Sequence, residues 1–156
     1  MLTGHHYQNA YIVDDMEAAI AEFHTRAEFG EVRPFAVEQE QWTPAGIKKI
    51  ATKLAFIWIG DLQYELIEVL EDETGIYSNF RNNGGLLHFH HVCARVPDWE
   101  VFRAAVVAQD LPVVLERANE GDLLKFLYLD GRSFCGHYLE YVWMTDERWV
   151  QLGGPA

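Results

Sequence analysis

Apolar and polar positions alternate along several short segments of the chain, and two other segments follow helical spacing instead. Residues 6–13 alternate and carry aromatic and branched side chains, which is typical of a strand. A pair of aspartates then offers a helix cap, and apolar residues follow at the spacing of a helix: Met16, Ala19, Ile20, Phe23 and Ala27. Three further strands are predicted at 32–41, 51–59 and 62–70. The predicted order of this half is βαβββ.

The same order returns in the second half of the chain. Residues 87–96 predict a strand, and Asp98 caps a helix whose apolar side carries Val101, Phe102, Ala105 and Val106. Three more strands are predicted at 112–117, 123–130 and 134–143. We therefore predict an internal duplication, with modules at about 4–70 and 87–143, a linker at 71–86, and a short tail to which the pattern assigns no element.

The strand at 87–96 holds three histidines within four residues: His88, His90 and His91. Ionisable groups are costly in a buried strand unless they have partners, so the segment is either a satisfied core strand or a functional site. Alternation places His91 on one face together with Phe89, Cys93 and Arg95, and places His88 and His90 on the other.

Superposing the two predicted modules brings four polar residues to matching places. Alignment of the helix caps places Gln8 over His91, and alignment of the last strands places Glu68 over Glu140. Each module thus offers one polar residue in its first strand and one carboxylate in its last. Glu65 has the opposite parity to Glu68, so we expect it on the solvated face of its strand.

The composition predicts a folded, acidic protein with a single domain over 1–156. Apolar residues make up 49% of the chain and aromatic residues 13%, which favours a globule over disorder. The net charge of −12 argues against binding to nucleic acid or to an anionic membrane surface. We recognise no membrane span and no signal peptide, and expect a cytoplasmic location. Cys93 and Cys135 are too few for a disulfide framework and are expected to be free.

These features resemble the vicinal oxygen chelate superfamily, which includes glyoxalase I, methylmalonyl-CoA epimerase, extradiol dioxygenases and bleomycin-resistance proteins. The resemblance spans 4–143 and rests on the duplication and its four matching polar residues, while the segment at 76–91 resembles the linker of the epimerase branch. It implies an α+β fold in which two tandem βαβββ modules form an open, cup-shaped mixed sheet around a divalent metal ion. The positions that match the metal ligands are Gln8, Glu68, His91 and Glu140, with His6 as an alternative to Gln8.

The ligand set of glutamine, glutamate, histidine and glutamate resembles that of one class of glyoxalase I. One imidazole and three oxygen donors suit zinc, cobalt, nickel, manganese or magnesium. The resemblance implies that the ion polarises a chelated carbonyl while a carboxylate takes the neighbouring C–H proton. It therefore implies a metal-dependent epimerase, isomerase or glyoxalase-type lyase, with Glu140 and Glu68 as the catalytic pair.

Three side chains on the His91 face are candidates to contact a small-molecule substrate: Phe89, Cys93 and Arg95. Arg95 would either hold a substrate carboxylate or form a salt bridge at the rim. Two other functions stay open. An acidic cup could sequester a cationic drug without a metal, and an extradiol-type dioxygenase would need two histidines and one carboxylate, from which this set departs. We expect a small-molecule substrate and a homodimer, and neither a nucleic acid nor a membrane as partner.

Overall fold

The computed structural model describes residues 3–78, 80 and 85–155, which form eight strands and four short helices. The first module contains β1 (His5–Val13), α1 (Met16–His24), β2 (Phe35–Thr43), β3 (Gly46–Ile59) and β4 (Leu62–Asp72). The second contains β5 (Leu87–Arg95), α2 (Trp99–Val107), β6 (Val113–Arg117), β7 (Leu124–Leu129), α3 (Arg132–Cys135) and β8 (Tyr138–Met144), and α4 (Asp146–Gln151) follows it. All eight strands and the first two helices are found near their predicted places. The last strand begins at Tyr138 rather than at 134, because residues 132–135 form α3. Of the predicted linker, residues 79 and 81–84 lie outside the described residues.

Both longer helices begin at an aspartate. Asp15 accepts a hydrogen bond from the backbone N–H of Ala18 at 2.9 Å, and Asp98 accepts one from Val101 at 3.0 Å. Each contact satisfies an N–H group that has no partner within the helix. The caps therefore fix equivalent helix starts in the two modules, as the sequence predicts.

The strands close into a barrel in the order β1-β4-β3-β2-β6-β7-β8-β5. Within the modules, β1 runs parallel to β4 and β5 runs parallel to β8. The modules meet along β1 and β5, which pair antiparallel, and again where Trp42 of β2 pairs with Glu116 of β6. This second seam closes the sheet, so the expected open cup is corrected to a closed barrel.

The helices cover the outside of the barrel, so both faces of the strands behind them are buried. Met16, Ala19 and Ile20 of α1 pack against Leu66 of β4 and Ile57 of β3. Helix α2 packs in the same way against β7 and β8. The strands make their apolar contacts with the helices on the outer face. Polar side chains of the first and last strands of each module can therefore face the interior.

The segment after β8 is ordered by aromatic contacts with the first module. The ring of Trp149 in α4 lies edge-on to Tyr7 at 4.9 Å and to Trp58 at 5.7 Å. Trp58 also donates a hydrogen bond of 2.7 Å to the carbonyl oxygen of Leu152. Among the described residues, no helix is long and apolar enough to cross a membrane.

Candidate metal centre

Three ionisable side chains meet inside the barrel and form a possible metal-binding triad: Glu65, His91 and Glu140. Their potential ligand atoms all lie within 4.8 Å of one another. His91 Nε2 lies 2.9 Å from Glu140 Oε2 and 3.5 Å from Glu65 Oε2, and the imidazole is completely buried. Strand pairing explains the convergence, because Ala10 of β1 stands beside both Glu65 and His91.

Gln8 lies in the same interior and is oriented by a second glutamine. Its Nε2 donates a hydrogen bond of 2.7 Å to Gln63 Oε1, and both side chains are buried. Within the part of the chain that the structure describes, Gln8 Oε1 is left without a hydrogen-bond partner. His6, the alternative ligand, is exposed and lies 2.9 Å from Asn9 Oδ1 instead. Gln8 is therefore the residue of β1 that offers an oxygen to the interior.

A bulge in β5 turns two consecutive histidines inward. β5 has one extra residue, His90, between the pairs that Phe89 and His91 make with β1. His90 Nδ1 lies 2.7 Å from His91 Nδ1, and its Nε2 lies 2.9 Å from the carbonyl oxygen of Ile76. Burial, together with the charge of His91, keeps the pKa of His90 well below its usual value.

In the metal-free triad, the two glutamates stabilise the charged form of His91. Burial lowers the pKa of His91, but the negative charges of Glu140 and Glu65 outweigh this effect and raise the pKa to about 9. Burial raises the pKa of Glu65, and the contact with His91 offsets part of that rise. At neutral pH the imidazole is therefore cationic between two carboxylates, and a divalent cation would compete for this place with its proton.

The donor atoms fit a divalent metal ion. Among the described residues, Gln8 Oε1 has no hydrogen-bond partner, and His91 Nε2 faces carboxylate oxygens of Glu140 at 2.9 Å and of Glu65 at 3.5 Å. Buried polar atoms normally find partners, and an unpartnered amide oxygen beside an imidazole and two carboxylates is what a cation site requires. One nitrogen and three oxygens are a donor set for zinc or a harder divalent ion.

A cavity of about 180 Å³ gives access to these donors inside the barrel. Gln8, Gln63, Glu65 and Glu140 line it together with apolar side chains and the phenols of Tyr7, Tyr77 and Tyr128. Burial raises the pKa of all three phenols, so they stay neutral and can donate hydrogen bonds. The cavity also reaches two cationic side chains, Arg117 and Arg148.

Glu68, expected as a ligand and as a catalytic residue, is not part of this site, and that expectation is wrong. Its Oε2 accepts a hydrogen bond of 2.9 Å from the backbone N–H of Met16, at the amino end of α1. Glu68 therefore lies on the outer face of β4, and Glu65 on the inner face. Glu65 pairs with Ala10 of β1, and Glu140 pairs with Cys93 of β5. The alignment that places Gln8 over His91 also places Ala10 over Cys93, so Glu65 is the residue equivalent to Glu140.

The three side chains expected to contact substrate do not line the cavity. The bulge at His90 reverses the alternation before His91, so Phe89 faces outward and packs against Tyr11 at 5.5 Å. Arg95 donates a hydrogen bond of 2.7 Å to Asp146 of α4 and lies over the ring of Trp149, so it holds the last helix.

Cys93 is buried, with its Sγ 3.7 Å from the hydroxyl of Tyr7. Burial raises the pKa of its thiol, and the nearby carboxylate of Glu140 raises it further, so the thiol stays neutral. Cys93 and Cys135 are both free, and Cys135 is exposed. The expected substrate contacts of the His91 face are thus replaced by packing contacts.

The sequence reasoning missed three residues of the site: Glu65, Gln63 and His90. A signal for the first two was present, since Gln63 and Glu65 alternate with Tyr64 and Leu66 and thus mark a polar face opposite an apolar one. The helix-covered face is the apolar one, so the polar face had to be the interior. The inward turn of His90 depends on the bulge, for which we find no signal in the sequence.

Comparisons with known proteins identify the family and the fold. The sequence matches the family model of the Glyoxalase/Bleomycin resistance protein/Dioxygenase superfamily over residues 7–128. No curated protein matches the chain significantly. Among solved structures, a hypothetical protein from Bacillus halodurans C-125 is similar with a TM-score of 0.64 and 16% identity, over 93% of this chain and 97% of that one.

Two methylmalonyl-CoA epimerases have the same fold. The enzyme from Mycobacterium tuberculosis gives a TM-score of 0.61 at 17% identity and covers 96% of this chain and 97% of its own. A variant of the Streptomyces coelicolor enzyme, in complex with 2-nitronate-propionyl-CoA, gives 0.66 at 15% identity, with 93% and 97% covered. At these identities the likeness is one of fold.

Proposed function

The chain belongs to the glyoxalase/bleomycin resistance protein/dioxygenase superfamily, and from this premise we propose that it is a divalent-metal-dependent enzyme that moves a proton next to the carbonyl group of a small organic substrate. The reaction is an epimerisation, an isomerisation or a glyoxalase-type lyase reaction. One observation carries the proposal: the donor atoms of Glu65, His91 and Glu140 converge within 4.8 Å inside the barrel. The epimerase neighbours support a reaction of this class.

Four residues would hold the ion: Gln8 and Glu65 from the first module, and His91 and Glu140 from the second. Zinc, cobalt, nickel, manganese and magnesium suit this donor set. When bound, such an ion supplies a Lewis acid that polarises a chelated carbonyl and stabilises negative charge on its oxygen. Two carboxylates offset the charge of the ion, which suits a neutral or anionic substrate.

Glu65 and Glu140 are the proposed proton carriers. They extend from β4 and β8, in different modules, and so reach the interior from different directions. One carboxylate takes the C–H proton, becomes a carboxylic acid and later releases this proton to solvent. The other takes a proton from solvent and gives it to the substrate, so both end as carboxylates. Return to the opposite face of the same carbon gives epimerisation, and return to the neighbouring carbon gives isomerisation. Burial raises the pKa of Glu65, which makes it a better proton acceptor than an exposed glutamate.

The cavity favours a small substrate group. Its volume of about 180 Å³ is below the roughly 300–1,000 Å³ of sites for drug-sized ligands, which argues against sequestration of a large drug. The three neutral phenols are available to donate hydrogen bonds to the substrate. Arg117 and Arg148 favour a substrate that carries an anionic group.

Extradiol-type oxygen chemistry is disfavoured by the histidine content of the triad. Such sites use two histidines and one carboxylate on iron. The imidazole of His90 lies beside the triad, but its two nitrogens already contact His91 and the Ile76 carbonyl. A single imidazole is therefore available at this centre within the described residues.

The test begins with metal analysis of protein purified without added metal. The ion is then removed with a chelator, and zinc, cobalt, nickel, manganese and magnesium are restored one at a time. Each form is incubated in heavy water with 2-substituted acyl thioesters, hemithioacetals and 2-hydroxy ketones, and deuterium next to the carbonyl is measured. We expect metal-dependent exchange that falls about 10²- to 10⁴-fold in Glu140→Gln. Glu68→Gln is the matched control and should keep full exchange.

Two results would contradict the proposal. One is exchange that survives complete removal of the metal. The other is full exchange in both Glu65→Gln and Glu140→Gln, because the two carboxylates would then not carry the proton. Tight binding of a cationic drug by metal-free protein, with no exchange for any substrate, would support the sequestering alternative.

A further inference from the structure

His90 stands behind His91 and connects it to the backbone of the linker. The imidazole is completely buried, with its Nε2 2.9 Å from the carbonyl oxygen of Ile76 and its Nδ1 2.7 Å from His91 Nδ1. A carbonyl oxygen can only accept a hydrogen bond, so Nε2 of His90 carries a proton and donates it. The direction of the first contact is thus settled by chemistry.

The surroundings of His90 favour its neutral form. Aromatic rings enclose the imidazole, with centroids 4.6 to 6.3 Å away: Tyr77, Phe80, Tyr128 and Tyr138. Within the described ranges no carboxylate contacts it, so nothing nearby stabilises a second proton. A neutral His90 protonated at Nε2 has a bare Nδ1, and the contact of 2.7 Å then requires His91 to donate from its own Nδ1.

We propose that His90 is a positioning residue that holds a proton on Nδ1 of His91, so that Nε2, which faces Glu65 and Glu140, is the nitrogen that gives up its proton to a metal ion. Without an acceptor at Nδ1, the imidazole of His91 would instead keep its last proton on Nε2, where two carboxylates attract it. That tautomer cannot bind a metal ion through Nε2. The inference rests on the proposed metal site, and its first test needs no metal.

A turn in the linker fixes the carbonyl group of Ile76, which accepts the hydrogen bond from His90. Asp72 Oδ1 accepts hydrogen bonds from the N–H groups of Thr74 at 2.8 Å and Gly75 at 3.1 Å, and Oδ2 accepts one from Tyr77 at 3.1 Å. These contacts fix the backbone on both sides of Ile76, whose side chain is buried. A fixed carbonyl holds the ring of His90, and the ring in turn holds the proton on His91 Nδ1.

The first test is nitrogen-15 NMR of the histidine side chains in the metal-free protein. We expect a protonated Nε2 and an unprotonated Nδ1 for His90, with a downfield proton on His91 Nδ1. A proton on Nδ1 of His90 would overturn the inference. This result does not depend on whether the protein binds a metal.

The second test measures zinc affinity by competition with a chromophoric chelator. His90→Leu removes the acceptor and should weaken zinc binding about 10- to 100-fold, the usual effect of losing a partner behind a ligand. His90→Asn should recover most of the loss, because its Oδ1 takes the place of Nδ1. His88→Asn is the matched control, since His88 is also buried in β5 but makes no contact with His91.

Two patterns of affinity would overturn the inference. One is wild-type zinc affinity in His90→Leu. The other is an equal loss in His90→Leu, His90→Asn and His88→Asn, because the effect would then be one of packing. If the wild-type protein binds no zinc or other divalent ion, the proposed function fails, and the NMR pattern of His90 decides this inference on its own.

Discussion

Two glutamates of β4, three residues apart, should respond in opposite ways to the same substitution. Glu65 faces the interior and belongs to the triad, whereas Glu68 faces outward and accepts a hydrogen bond from Met16. Glutamine keeps the size of either side chain and removes its charge. Glu65→Gln should therefore weaken metal binding, and Glu68→Gln should affect only the start of α1.

The magnitudes follow from these contacts. A change behind a ligand costs about 10- to 100-fold in metal affinity, so loss of a charged ligand in Glu65→Gln should cost at least about 100-fold, or about 2.7 kcal/mol. In Glu68→Gln the amide oxygen can still accept from Met16, and the lost charge at the amino end of α1 should lower the free energy of unfolding by about 0.3–1 kcal/mol.

Two assays separate these effects. Competition with a chromophoric chelator gives the zinc affinity of each variant, and urea unfolding of the metal-free forms gives the stability. Loss of zinc binding in Glu68→Gln, or wild-type affinity in Glu65→Gln, would refute the assignment of the inner and outer faces of β4.

Three further outcomes are expected. Gln63→Met should weaken zinc binding, because the amide of Gln8 loses the acceptor that orients it. Gln63→Glu keeps an acceptor and should not weaken it. Calorimetric zinc titrations compare the two variants, and equal affinities would contradict this orientation of Gln8. Because the pKa of His91 is about 9 in the metal-free protein, zinc binding at pH 7 should release about one proton, and the affinity should rise with pH until about 9. Calorimetry in buffers of different ionisation enthalpy measures this release, and its absence would mean that His91 is neutral or is not a ligand. One thiol, that of Cys135, should react in the native protein and two in the denatured, unreduced protein, as counted with a colorimetric thiol reagent; two in the native protein would contradict the burial of Cys93.

The strands and the two longer helices were predictable because they rest on local patterns. The aspartate caps gave a reliable match between the modules, and through it Gln8 was placed over His91. The last strands lack such a marker, and their alignment was three residues out. An odd shift exchanges the faces of a strand, so the sequence pattern predicts Glu68 at the place that Glu65 occupies.

The faces were exchanged for a physical reason as well. In most half-buried strands the apolar side is the interior, but β4 is buried on both faces. Its apolar side packs under α1, as Leu66 does, and its polar side faces the cavity, as Gln63 and Glu65 do. In a barrel covered by helices, the apolar side of a strand can therefore face the helices and its polar side the interior.

Other features depend on contacts between distant parts of the chain. The outward turn of Phe89 follows from the bulge at His90, and the closure of the barrel follows from the contact of Trp42 with Glu116. Helix α4 is held by Arg95, Trp58 and Tyr7, which lie far from it in sequence. Local periodicity carries no information on any of these contacts.

The most direct test of the metal centre is X-ray absorption spectroscopy of the cobalt- or zinc-loaded protein. We expect one ion per chain with a single imidazole nitrogen and oxygen ligands, and loss of the imidazole signal in His91→Ala. Two imidazoles or a sulfur ligand at the ion, or an unchanged spectrum and full metal content in His91→Ala, would contradict a centre built from Gln8, Glu65, His91 and Glu140.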